Sequence, residues 1–254
     1  MNSVLEIFRT YDCDIPRIRM GENSDGGYIF HTGFEYDLLL SGGVKDTLEF
    51  EDAFVDMYKV PCIAHDHTIL QLPKHNHTDL IRFDRRMISN KNSLLSTNLS
   101  EHLRVENQRV FVKMDIESSE WDWLASLEDR EMHGIDQMVI ELHLTMGINN
   151  ETHDMFFNRM TTLERLNRSH TLTHVHNNNW APQCLLLNDV EIPVVIECTY
   201  LHKKFLTDRL VIFNMRVFPT ELDCSNNPDK EDPSDKLNQE PFRTNRLTIV
   251  EIKN

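Results

Sequence analysis

The sequence predicts an α/β domain: a mostly parallel sheet with helices on both faces and an antiparallel pair at one edge. Three observations predict it. From about residue 36 to 167, short apolar runs suited to buried strands alternate with segments of helical spacing. Several of those runs close on glycine or acid directly before a helix. After residue 170 the texture changes to β-like runs with little helix between them. Alternation of this kind implies right-handed crossovers and a sheet covered on both faces, with function at the carboxyl ends of its strands.

Taken in chain order, "YDLLLSGGV" (36–44) is a strand ending on two glycines. "DTLEFEDAFVDMY" (46–58) follows as a helix, with Leu48, Phe50, Phe54 and Met57 at roughly helical spacing. "KVPCIAHD" (59–66) reads as a second strand, "LIRFDRRMIS" (80–89) as a weaker third, and "NSLLSTNLSEHLRV" (92–105) as a helix. "RVFVKMDI" (109–116) is a strong buried strand, followed by a helix at 119–129, a strand "DQMVIELHL" (136–144) and a helix at about 151–167. The late β-like runs are "TLTHVHNNN", "EIPVVIECTYL" and "RLVIFNMRVF". A tail rich in Pro, Asn, Asp and Lys begins at about Phe218 and wraps the surface, with Leu247 to Ile252 as one more short strand. The reading is a single domain over 1–254, with an N-terminal extension of about 1–30.

A chain of 254 residues is long enough to bury a substantial core. With 26 Lys plus Arg against 41 Asp plus Glu, the formal charge of -15 argues against nucleic acid or an anionic membrane as a general partner. No apolar run approaches the ~18 residues of a membrane span. The acidic start "MNSVLEIFRTYDCD" lacks a basic-then-apolar leader, so a cytoplasmic location is expected. The five scattered cysteines contain no CxxC pair and are expected to be reduced thiols.

Four constellations could carry chemistry. Ser41, Gly42 and Gly43 lie between a strand and a helix, where glycines let a ligand approach backbone amides; an ordinary tight turn explains them equally well. Asp66 ends the next strand, 23 residues after Gly43, close to the ~20 expected of an acid that binds ribose hydroxyls. His65 and His67 flank it as an HxH pair that could instead bind metal. In "FVKMDIESSEWDWL" (111–124), Lys113, Asp115 and Glu117 share parity, while helix initiation with a Ser118 or Ser119 cap is the plainer account. One strand later, Glu141 and His143 match that parity, which would gather Asp115, Glu117, Glu141 and His143 around one cleft. "HVHNNNW" (174–180) offers uncharged donors and acceptors for sugar hydroxyls and Trp180 as a stacking platform; turn chemistry explains it comparably well.

In family order, "MGENSDGGYIF" (20–30), "LSGGVKDTLEFE", "AHDHTI", "FVKMDIESSEWDWL", "HVHNNN", "IPVVIECTYL" and "FPTELDCSNNPDKEDP" resemble the FkbM-like S-adenosylmethionine-dependent methyltransferases, over roughly residues 17 to 233. The chain departs from the family at Ser118, where glycine is common. The resemblance implies a Rossmann-like seven-stranded methyltransferase sheet. It also implies that Ser41, Gly42 and Gly43 contact the methionine part of S-adenosylmethionine, Asp66 the ribose, and His67 or Thr68 the adenine edge. Asp115 would lie near the transferred methyl. Members of this group mostly act on sugar hydroxyls, and some large DNA viruses look like sources of such domains, so a glycan acceptor, such as one bearing the deoxyhexose rhamnose, is expected.

A sugar hydroxyl is a poor nucleophile at neutral pH, so a positioned base or a metal is the natural supplement. Asp115 is the expected base, with Glu117 or Glu141 nearby and His143 and His176 as competing bases. A divalent ion held by Asp115 and Glu141 is the less favoured variant. The rival readings are a metal-dependent hydrolase and a catalytically silent glycan-binding module.

Overall fold

The computed structural model describes residues 3–144 and 153–252. Seven strands form the central sheet: β1 (Leu38–Gly42), β2 (Cys62–His65), β3 (Ile81–Asp84), β4 (Val110–Met114), β5 (Ile135–His143), β6 (His170–Asn177) and β7 (Val195–His202). Their spatial order is 3-2-1-4-5-7-6. β1 pairs in parallel with β2 and β4, β2 with β3, and β4 with β5, whereas β7 runs antiparallel to both β5 and β6. The expected alternation and antiparallel edge pair are both present.

Every residue of β1 and β4 is buried, as expected of strands covered on two faces. Their side chains divide by parity. Leu38, Leu40, Val110, Val112, Met138 and Ile140 pack on one face, against Trp123 and Leu124 of one helix and Leu163 and Leu166 of another. Leu39, Phe111 and Val139 pack on the other, against Phe50 and Phe54 and against Tyr28 and Phe30. Phe111 is the hub of that second core, with ring centroids 5.1 Å from Phe30 and 4.8 Å from Phe54. The helices are α1 (Glu49–Tyr58), α2 (Glu120–Ser126), α3 (Asp129–His133) and α4 (His153–Ser169). The expected start of α4 at about 151 lies outside the described residues.

Four expectations are corrected. Residues 92–105 are not one helix: only Ser100–Leu103 is helical. The Asn92 and Ser93 side chains accept from the backbone of Asn98, Leu95 and Ser96, so local side-chain bonds outcompete the helical ladder. The helix expected at 119–129 stops at Ser126. A second helix then starts at Asp129 behind a capping box of Glu128 and Glu131. "RLVIFNMRVF" contributes Val211–Phe213, which pairs with Tyr11–Cys13 rather than joining the central sheet. Finally, the 1–30 segment is more than an extension. Its hairpin, Arg17–Met20 with Tyr28–His31, covers the sheet and buries Tyr28 and Phe30.

The tail from Phe218 is irregular but anchored, with Phe218, Leu237 and Phe242 inside the core. From β1 the chain winds outward through β2 to β3, then crosses back to lay β4 and β5 on the other side. The carboxyl ends of β1 and β4 therefore flank the topological switch point, where ligands bind in open α/β sheets.

Candidate functional site

At the switch point the ends of β1 and β4 are in backbone contact. The Asp115 amide donates to the Gly42 carbonyl at 3.0 Å, and the Gly43 amide donates to the His65 carbonyl at 2.9 Å. Gly43 sits at φ +75°, and a Cβ there would lie 1.6 Å from the Asp115 carbonyl oxygen. Only glycine lets the two turns touch. The turn after β4 is strained as well, with Glu117 at φ +54° and Ser118 at +79°. Ser118 thus holds a left-handed geometry that glycine would adopt freely, and the tight turn forms without one.

A cavity of about 250 Å³ opens between these turns, lined by Gly43, Asp66, Thr68, Ile88, Asp115 and Ile116 among others. His65, His67 and Glu117 also border it, so seven of the sequence-predicted positions meet there: Gly43, His65, Asp66, His67, Thr68, Asp115 and Glu117. Ser41 and Gly42 are not in the lining. The Ser41 hydroxyl is buried beneath the turn, where it donates to Glu51, and Gly42 lies under Ile88 and Met114.

Asp66 organises this rim. Oδ2 accepts from the amides of Val44 (3.2 Å) and Lys45 (2.9 Å), and Oδ1 from the amide and hydroxyl of Thr68 at 2.8 and 2.6 Å. Burial opposes its charge, but these donors prevail and hold the carboxyl below its usual range. Four donors meet the roughly four lone-pair positions of a carboxylate. Asp66 therefore fixes the glycine turn as well as facing the pocket. His65 is buried and His67 exposed beyond the end of β2, so the HxH spelling does not make a two-ligand face.

Beside this pocket, over the ends of β5, β7 and β6, lies a packed cluster of charged side chains. Glu141 and Glu197 are direct cross-strand partners, as are Glu197 and His176. Asp25, from the N-terminal hairpin, joins them: one carboxylate oxygen from each of Asp25, Glu141 and Glu197 lies within 4.8 Å of the other two. Among the described residues, these three form a group of acids close enough to share one ion. Asn178 donates to Glu141 at 2.6 Å, and Asn226 donates to both Glu197 (2.5 Å) and Asp25 (3.1 Å). The Tyr28 hydroxyl donates to Asp115 Oδ2 at 3.3 Å.

The two histidines expected as bases are tied to acids. His143 Nδ1 lies 3.1 Å from Glu120, and Nε2 lies 3.4 Å from Glu117 and 3.3 Å from Glu141. Burial works against its charge, yet these carboxylates raise its pKa to about 10. His176, also opposed by burial, is raised to about 10 by Asp232 and Glu197. Both are imidazolium at neutral pH and have no lone pair with which to take a proton. Burial, reinforced by neighbouring acids and offset by Lys113 and His143, lifts Asp115 to about 6. Burial and the charges of Asp115 and Glu197 also raise Glu141.

Helix initiation accounts for part of "FVKMDIESSEWDWL": Ser119 takes the N-cap position of α2, without a side-chain hydrogen bond, while Glu117 pairs with His143. The three asparagines divide. Asn178 holds Glu141, and Asn179 staples the tail through Ser225 and Asn227, while Asn177 is buried without a side-chain partner. Trp180 is 54% exposed beneath the Lys230 ammonium, which lies 4.7 Å from its ring centroid.

Sequence reasoning missed Asp25, Tyr28, Glu120, Glu197 and Asn226. Asp25 and Tyr28 stand in "MGENSDGGYIF", singled out as a motif but given no role, and Glu197 stands in "IPVVIECTYL". An acid inside so apolar a strand was the available signal. No family model matches the chain, and no curated protein matches it.

Proposed function

We propose that the chain is an S-adenosylmethionine-dependent O-methyltransferase of the FkbM-like kind, transferring a methyl group to a sugar hydroxyl of a glycan. One observation carries the reading. The glycine turn of β1, the acid ending β2 and the acid ending β4 border one pocket at the switch point, as a Rossmann-like cofactor site requires. The seven-stranded sheet with a single antiparallel strand also agrees with what the resemblance implies.

The residues fit such a cofactor. Gly43 borders the pocket as bare backbone, its missing Cβ being what lets the Asp115 turn close against it, and the exposed Thr68 lies in the lining with the apolar Ile88 and Ile116. When bound, S-adenosylmethionine supplies an electrophilic methyl group for in-line displacement. Asp115 lines the pocket and, with a pKa of about 6, is mostly ionised at pH 7.5 yet more basic than an ordinary carboxylate. It takes the proton of the acceptor hydroxyl. Tyr28 orients it from one side. Asp25, Glu141 and Glu197 offer acceptors for the remaining hydroxyls of a sugar, and His143 and His176 balance their charge.

The test is methyl transfer to a panel of rhamnose-bearing acceptors, followed by mass spectrometry, with and without EDTA. Transfer is expected, and it should persist in EDTA because Asn178, Asn226 and the two imidazoliums already answer the carboxylates of Asp25, Glu141 and Glu197. The convergence of Asp25, Glu141 and Glu197 favours one variant, since three carboxylate oxygens suit a hard divalent ion. Loss of activity in EDTA with recovery in Mg²⁺ would establish that variant. S-adenosylhomocysteine binding without transfer to any glycan would instead favour a silent module.

A further inference from the structure

His65 is a buried group that the mechanism above leaves unused. It is 1% exposed and borders the pocket, and neither ring nitrogen has a hydrogen-bond partner. Buried polar atoms are almost always satisfied, so an imidazole with two unmet nitrogens at the wall of a cavity points to a missing partner. The register shows which way it faces. Gly42 pairs with His65 in the parallel β1/β2 ladder, so the two project to the same face of the sheet. A Cβ on Gly42 would meet Ile88 and Ile116. The His65 ring therefore shares its face with those two residues, which with Met87 give the pocket an apolar shelf suited to a flat heteroaromatic ring.

Nδ1 of His65 is turned toward Asp84, 3.7 Å from Oδ2. Proximity to that carboxylate favours the tautomer with the proton on Nδ1 and leaves Nε2 as an acceptor. Burial holds the ring neutral at ordinary pH, with its pKa lowered to about 4.

We propose that His65 determines base specificity in this pocket, its Nε2 accepting a hydrogen bond from the exocyclic amino group of the ligand's adenine. The inference rests on the cofactor reading above and assigns base recognition to His65 rather than to His67 or Thr68, both of which are exposed. An adenine amino group donates to Nε2, whereas the carbonyl of hypoxanthine would set one lone pair against another.

The experiment is calorimetry at pH 7.5 with S-adenosylhomocysteine and S-inosylhomocysteine, against wild type, His65→Phe and the smaller His65→Leu, each variant checked for a cooperative thermal transition. Wild type is expected to prefer the adenine compound by roughly tenfold or more, and the folded variants to bind the two within about twofold of each other. A wild type that binds both equally overturns the assignment without any variant, as does a tenfold preference that survives in a folded variant. A wild type that binds neither compound overturns the cofactor reading itself.

Discussion

Gly43→Ala is expected to unfold far more readily than wild type, losing about 2–5 kcal/mol by urea denaturation, and to bind no S-adenosylhomocysteine. Two costs add. A left-handed backbone costs a non-glycine residue about 1–2 kcal/mol, and overpacking typically costs about 1–3 kcal/mol more. The overlap here is with the backbone carbonyl of Asp115, 1.6 Å from the new Cβ, so no side-chain rotation relieves it and the ends of β1 and β4 must separate. Gly42→Ala is the control. Its Cβ would meet the mobile ends of Ile88 and Met114 at 2.6 and 2.7 Å, and a loss of about 1 kcal/mol with binding retained is expected. A Gly43→Ala protein within 0.5 kcal/mol of wild type would contradict the contact between the two strand ends.

Asp115→Asn is expected to lower the turnover number for methyl transfer by roughly 10²- to 10⁴-fold while S-adenosylhomocysteine affinity stays within a few-fold of wild type. The amide keeps the shape of the carboxylate and its contact with Tyr28 but accepts no proton. The wild-type rate should rise as pH increases through about 6, where Asp115 ionises, and the variant should lack that limb. Stability should move the other way. Because the folded pKa lies above the unfolded value, ionisation of Asp115 opposes folding. That burden is absent below about pH 4 and complete above about pH 6. The variant should therefore melt higher than wild type at pH 7.5, with the gap closing toward pH 4. Equal turnover in the two proteins would remove Asp115 from the chemistry.

Features set by local pattern were legible in the sequence. The strands Leu38–Gly42 and Val110–Met114 read as apolar runs, and the spacing from Gly43 to Asp66 pointed to one pocket. Long-range pairing was not legible. Nothing local to Glu197 says that β7 enters between β5 and β6 and sets it opposite Glu141, or that Asp25, far earlier in the chain, folds over both. His143 and His176 were legible as candidate bases because histidine ordinarily titrates near neutrality. Only their surroundings, Glu117, Glu120 and Glu141 about one and Glu197 and Asp232 about the other, show that each stays protonated. The stretch 92–105 misled for a related reason: its leucines have helical spacing, but Asn92 and Ser93 bind the neighbouring backbone, leaving Leu94 and Leu95 exposed.

The proposed S-adenosyl site is the pocket between the turns of Gly43, Asp66 and Asp115. Titrating S-adenosylhomocysteine into the wild-type protein in a calorimeter tests it most directly. Saturable binding with one ligand per chain is expected. A titration showing no heat of binding, together with no shift in melting temperature at millimolar ligand, would contradict it.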